Sequence, residues 1–115
     1  MNISTKSRGD VCIIEISGRM DSFSSKEIEE RLNDVIERNK EILIDLSAVD
    51  YISSVGLRVL LSVLKKQKER DGSIKLASLQ PFVRDIFKIT GFDRIFSISR
   101  DQEDAMGKFV GMKRY

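Results

Sequence analysis

Two adjacent serines, Ser53 and Ser54, are the residues of this sequence best placed to do chemistry. They follow an apolar run of strand length at residues 42–46 and precede an apolar segment of helical spacing that begins at Val55. This order predicts a buried strand, a short polar connection that presents hydroxyl groups, and a helix start. A serine hydroxyl in that position can cap the helix, and it can also accept a phosphoryl group.

The physics of a helix start favours a negative charge near these serines. The first turn of a helix has unpaired backbone N–H groups and a partial positive charge. Phosphorylation of Ser54 would add about 1.5–2 negative charges there. We expect Ser54 to be the cap, and Arg58, one turn later, to be within reach of a phosphate on it. Ordinary capping without regulation is the alternative that these residues leave open.

A glycine and a surplus of apolar residues suggest a contact surface along the same helix. Gly56 has no side chain, so a partner could approach its backbone closely. The helix has a core stripe of four leucines and three valines outside it: Leu57, Leu60, Leu61 and Leu64, then Val55, Val59 and Val63. Part of this surplus is predicted to dock a partner, and packing against a neighbouring helix is the other interpretation.

The composition excludes several classes of function. Among the 115 residues there is no histidine and one cysteine, Cys12. The usual general base for a serine or cysteine nucleophile is therefore missing, and no internal disulfide can form. The sequence also lacks the Gly-x-x-x-x-Gly-Lys phosphate-binding loop. We expect no enzymatic activity, no cofactor and no metal site.

Charge and hydropathy bear on partners and location. The formal net charge of +2 is too small to indicate nucleic-acid binding. The longest apolar runs are much shorter than the ~20 residues that span a bilayer, and the first residues do not resemble a signal peptide. The sequence predicts a cytoplasmic protein that does not insert into membranes. Its length fits a single domain over residues 1–115.

The elements that must position the serines alternate between strands and helices. Apolar and β-branched runs predict strands at residues 2–7, 11–18, 41–46, 73–77 and 95–98. Helical spacing predicts helices over residues 25–38, after the serines, after Pro81 and after Ser99. This alternation indicates an α/β fold in which helices pack on a mixed sheet containing parallel strands.

Local signals indicate where two of these helices begin or end. Ser24 with Glu27 predicts a capping box for the first helix, and Phe23 is expected to pack on Ile28. Gly72 is expected to end the helix after the serines in a left-handed conformation.

Two segments, Asp45-Leu46-Ser47 and residues 51–57 (Tyr-Ile-Ser-Ser-Val-Gly-Leu), together resemble the signature of the STAS domain, specifically of bacterial anti-sigma-factor antagonists. The resemblance extends through residues 18–21, the helix start at Ser24 and the strand at 74–76, so it covers nearly the whole chain. It implies a STAS-like mixed sheet of four to five strands with helices packed mainly on one face.

The resemblance implies a protein-binding switch. In such systems the unphosphorylated antagonist binds an anti-sigma factor that is also a serine kinase, and a sigma factor is freed. The kinase phosphorylates the antagonist and releases it, and a PP2C-type phosphatase reverses the modification. Ser54 aligns with the phosphoacceptor of this family, and Ser53 is a second candidate hydroxyl.

The resemblance also predicts a partner-binding surface. Asp21 carries over as a contact near the partner's active site, and Gly56 and Leu57 as parts of the docking helix. The full predicted set is Asp21, Ser53, Ser54, Val55, Gly56, Leu57, Arg58 and Val59.

Two positions beside the acceptor depart from the family pattern. The family usually has aspartate where this chain has Ser53, and serine or threonine where it has Val55. The first change removes a negative charge that a kinase could recognise. The open alternative is therefore a constitutive STAS subunit of a transport system or signalling assembly, which binds through the same surface without being phosphorylated.

Overall fold

A computed structural model describes residues 2–109 of the chain. Its elements in chain order are β1 (Asn2–Arg8), β2 (Val11–Met20), α1 (Ser25–Arg38), β3 (Glu41–Ile52), α2 (Ser54–Glu69), β4 (Ser73–Ala77), α3 (Pro81–Thr90), a short 3-10 helix (Phe92–Arg94), β5 (Ser97–Ser99) and α4 (Gln102–Met106). Within these residues no helix combines the length and the apolar character needed to cross a bilayer.

The strands form one mixed sheet in the order β1-β2-β3-β4-β5. β1 runs antiparallel to β2, and the other three neighbouring pairs are parallel. Parallel neighbours need crossover connections, which α1, α2 and α3 supply in turn. The predicted mixed sheet with parallel strands is therefore confirmed.

The helices cover the two faces of the sheet unequally. Successive side chains of a strand point to opposite faces. Ile14 and Ile44 belong to a core shared with α1, α2 and α3, whereas Ile13 and Leu43 belong to a smaller core that includes α4. Three helices thus lie on one face and one short helix on the other, as predicted.

β3 continues six residues beyond its predicted end at Leu46 and leaves only Ser53 before α2. Its last residues pair with the end of β2, including Tyr51 with Arg19. The prediction of a polar connection after Leu46 was therefore wrong, because these residues belong to β3. In this segment Val49 and Ile52 are buried and the pairing with β2 is irregular, whereas Ser47, Ala48 and Asp50 are exposed, so polar and small residues are accommodated within the strand.

Gly56 lies where α2 passes the end of β2. A Cβ atom at this position would lie 2.8 Å from the carbonyl oxygen of Met20 and 3.0 Å from Cγ1 of Ile52. A side chain would therefore collide with the backbone of β2. The missing side chain serves packing inside the chain, and not the close approach of a partner that the sequence predicted.

The predicted capping box of α1 does not form. The Ser24 Oγ accepts the Asp21 N–H at 3.0 Å and donates to the Arg19 carbonyl at 2.6 Å, so the turn after β2 uses this hydroxyl. Phe23 belongs to the same turn and is 96% exposed, so it does not pack on Ile28.

The end of α2 also differs from its prediction. Asp71, with φ of 61°, adopts the left-handed conformation expected of Gly72. A Cβ on Gly72 would lie 2.6 Å from the Lys40 carbonyl oxygen and 2.7 Å from the Gln67 side chain. Gly72 is therefore required for space beside the start of β3, and not for its conformational freedom.

Cys12 is buried on β2, and burial raises the pKa of its thiol. The thiol is therefore protonated at neutral pH and poorly reactive.

Candidate functional site

Ser53, and not Ser54, caps α2. Ser53 has an extended backbone, and its Oγ accepts the N–H of Gly56 at 3.3 Å. Its carbonyl accepts the N–H of Leu57 at 3.0 Å, which closes the first helical turn. The prediction that Ser54 is the cap was wrong because β3 runs to Ile52. The next residue, Ser53, then has the extended conformation that a capping residue needs.

Ser54 is the first helical residue, and its side chain is exposed. Within residues 2–109 its hydroxyl has no hydrogen-bond partner, in contrast to the neighbouring Ser53 hydroxyl. The N–H groups of the first helical turn give this position a partial positive charge. The structure therefore places a free hydroxyl at an electropositive helix start.

Asp21 lies at the same end of the sheet, in the turn after β2. Its Oδ1 accepts the N–H groups of Phe23 at 3.0 Å and Ser24 at 3.1 Å, and its Oδ2 accepts Nε of Arg19 at 3.4 Å. Desolvation acts to raise the pKa of Asp21, but these donors outweigh it and hold the pKa below its ordinary value. Asp21 is therefore ionised at neutral pH.

The turn that holds Asp21 is tied to the start of α2. The Ser53 N–H donates to the carbonyl of Met20, the residue before Asp21, at 2.9 Å. The structure thus brings Asp21 and the two serines together at the carboxyl ends of β2 and β3. In the sequence, 31 residues lie between Asp21 and Ser53.

Three side chains that sequence reasoning missed extend this surface. The Arg19 guanidinium lies 4.2 Å from the ring centroid of Tyr51, over its face. The Tyr51 ring stacks on Phe82 of α3, with 5.9 Å between centroids and 19° between planes. Phe82 is nevertheless 50% exposed. Phe82 directly precedes the buried Val83 and therefore lies on another side of α3. The helical spacing in the sequence could have indicated that its ring is exposed.

We call this region the acceptor surface and define it by seven residues: Arg19, Asp21, Phe23, Tyr51, Ser54, Arg58 and Phe82. It combines an ionised carboxylate, two cations, a free hydroxyl and two phenylalanine rings open to solvent. Such a mixture of exposed aromatic and charged groups is typical of surfaces that bind proteins.

The predicted partner-binding residues divide by exposure. Ser54 and Arg58 are exposed, and Asp21, Ser53 and Val55 are partly exposed. Gly56, Leu57 and Val59 are buried, with 4% of Leu57 and 6% of Val59 exposed.

Leu57 and Val59 therefore do not qualify as direct side-chain contacts. Both belong to the main core, together with Val63. A partner could reach them only if α2 moved. Packing inside the fold thus explains Val59 and Val63, as in the second interpretation, whereas Val55 is partly exposed and stays a candidate contact.

Comparison with known proteins agrees with the resemblance seen in the sequence. The model of the STAS domain family matches residues 2–105. BtrV of Bordetella bronchiseptica, named as an anti-sigma factor antagonist, is 35% identical over 95 residues, 82% of this chain and 82% of its own. The anti-sigma-B factor antagonist of Bacillus subtilis is 31% identical over 103 residues, 90% of this chain and 94% of its own.

Solved structures share the fold. A Thermotoga maritima protein described as an anti-sigma factor antagonist matches with a TM-score of 0.86 and 24% identity, over 92% of each chain. The phosphorylated form of the Bacillus cell fate determinant SpoIIAA matches with a TM-score of 0.71 and 15% identity, over 93% of this chain and 98% of that chain. At these identities the likeness concerns the fold alone.

The two serines should respond differently to substitution by alanine. Ser53→Ala removes the cap of α2 and should lower the free energy of unfolding by about 0.5–2 kcal/mol. Ser54→Ala removes an exposed hydroxyl and should change it by less than about 0.5 kcal/mol. Urea denaturation of both variants measures the difference. A larger loss for Ser54→Ala would contradict the assignment of the cap.

Proposed function

Because the chain belongs to the STAS domain family, we propose that it is an anti-sigma factor antagonist that binds its partner when unphosphorylated and is released when Ser54 is phosphorylated. The observation that carries the proposal is the free Ser54 hydroxyl at the first position of α2. The names of the relatives support the class of partner.

Phosphorylation of Ser54 would change the charge of the surface and leave the fold intact. Ser53 already provides the cap of α2, so no structural hydrogen bond is lost. A phosphate at this helix start gains about 0.3–1 kcal/mol from the helix dipole. Arg58, one turn further, is exposed and makes no ion pair within residues 2–109, so it can pair with the phosphate.

A partner that packs against Ser54 would meet the new charge directly. The phosphate adds about 1.5–2 negative charges to an end of the molecule that already carries the ionised Asp21. A partner shaped to bury the neutral hydroxyl would then have to desolvate a charged group for which it provides no cation of its own. Release of the partner follows from that cost.

Ser54 is a better acceptor than the second candidate, Ser53. Ser53 is only partly exposed, and its Oγ accepts the N–H of Gly56. A phosphoryl group on that oxygen would disturb the cap that starts α2. Ser53 therefore serves the helix, and Ser54 is free for modification.

The proposal specifies the other components of the switch. The partner is an anti-sigma factor with serine kinase activity, and a PP2C-type phosphatase restores the unmodified form. The chain itself is the substrate of these enzymes and has no catalytic role. Because the kinase needs ATP, the protein acts in the cytoplasm.

The first test maps the modification. The protein is incubated with ATP and a purified serine-kinase anti-sigma factor from the same organism, and mass spectrometry then locates the phosphate. We expect one phosphate, on Ser54. Ser54→Ala should remain unmodified, and Ser53→Ala should still be phosphorylated. Phosphate on another residue with Ser54 unmodified would exclude the switch.

The second test places a permanent charge on the acceptor. Ser54→Asp should weaken binding of the same anti-sigma factor by more than tenfold, about 1.4 kcal/mol, in calorimetric titration. Ser7→Asp is the matched control, because Ser7 is exposed on β1 at the opposite end of β2. An unchanged affinity for Ser54→Asp would favour the constitutive subunit over the switch.

A third test concerns the aromatic part of the acceptor surface. Phe82→Ala removes an exposed ring that is held by Tyr51, and we expect binding to weaken by about 1–2 kcal/mol. Ile89→Ala is the control, since Ile89 is 80% exposed at the other end of α3. Equal affinities of the two variants would remove Phe82 from the docking surface.

A further inference from the structure

A second concave region lies at the carboxyl ends of β4 and β5, beside α3. It is a cavity of about 370 Å³. Its lining includes three cations, one carboxylate and two aliphatic side chains: Arg84, Lys88, Arg100, Asp93, Leu79 and Ile98.

The fold builds this cavity through the connection from β4 to α3. Ser78 adopts a left-handed conformation with φ of 66°, and its N–H donates to the Ser99 carbonyl at 3.1 Å. This bond holds the ends of β4 and β5 together. Leu79 follows and is 5% exposed, so it forms a fixed apolar part of the wall.

α3 directs two cations towards the cavity. Arg84 and Lys88 are four residues apart and therefore lie on the same side of the helix. Phe82 lies on the opposite side, because each residue turns the helix by about 100°. The cavity and the acceptor surface have no residue in common.

The positive charge of the cavity is largely unneutralised. Within residues 2–109, Arg84 and Lys88 form no ion pair, and Arg100 has only a 3.8 Å contact between its Nε and Oδ2 of Asp104. Asp93 is the one acidic residue of the lining. An anion in the cavity would therefore balance an excess of two positive charges.

We propose that this cavity binds a small organic phosphate. Two guanidinium groups and an ammonium group suit a phosphate, because arginine can donate two parallel hydrogen bonds to it. Leu79 and Ile98 provide an apolar wall for the organic part. The volume falls in the lower part of the range of small-molecule sites, about 300–1,000 Å³. The inference does not depend on phosphorylation of Ser54.

Titration of the isotope-labelled full chain with n-hexyl phosphate, followed by two-dimensional NMR, tests the site. We expect saturable shifts of the Leu79 and Ile98 amides at up to millimolar concentration. The double variant Arg84→Gln/Lys88→Gln should bind at least tenfold more weakly. The control Lys65→Gln/Lys68→Gln removes the same charge from exposed positions of α2 and should bind like the unaltered protein.

Further arms identify the source of the phosphate group. Inorganic phosphate should bind more weakly than hexyl phosphate, because it leaves the apolar wall uncovered. Flotation compares binding to vesicles that contain phosphatidic acid with binding to vesicles of phosphatidylcholine alone. Binding only to the phosphatidic acid vesicles would indicate a lipid head group, and binding to hexyl phosphate without binding to vesicles would indicate a soluble ester. Equal weakening in both double variants would show non-specific attraction by charge and overturn the site. So would the absence of saturable binding to hexyl phosphate and to both kinds of vesicle.

Discussion

The junction between the end of β2 and the start of α2 determines the geometry of the acceptor surface. The Ser53 N–H donates to the Met20 carbonyl at 2.9 Å, and a Cβ on Gly56 would lie 2.8 Å from the same oxygen. One backbone oxygen thus accepts a hydrogen bond from the residue before the helix and leaves no room for a side chain at position 56. This contact holds Ser53 in the capping position, so Ser54 begins the helix with its hydroxyl in solvent.

The two serines therefore have separable energetic roles. The Ser53 cap contributes about 0.5–2 kcal/mol, a noticeable part of the 5–15 kcal/mol that stabilises a typical domain. The Ser54 hydroxyl has no hydrogen-bond partner within residues 2–109, and a phosphate on it would interact with the helix dipole by about 0.3–1 kcal/mol. Modified and unmodified forms would share one fold. An effect on a partner would then arise at the interface, and not through unfolding.

The sequence could predict those features whose signals are local. The apolar run at residues 42–46 and the helical spacing after Ser54 predicted β3 and α2, as well as an exposed hydroxyl at the start of α2. The continuation of β3 to Ile52 depends on pairing with β2, which local composition does not encode. The choice of Ser53 as the cap follows from that continuation. The stacking of Tyr51 on Phe82 depends on where the sheet order places α3.

α3 separates the acceptor surface from the basic cavity, and its packing decides whether the two can communicate. Phe82 faces the first, and Arg84 and Lys88 line the second. Between them, Val83 and Phe87 are fully buried in the main core. Any shift of α3 large enough to move the Phe82 ring would disturb that close packing, and misfits in a core cost about 1–3 kcal/mol. A bound anion could offset that cost only through a higher affinity for the shifted packing, and the cavity shares no residue with the acceptor surface, so occupancy of the cavity should leave the acceptor surface unchanged.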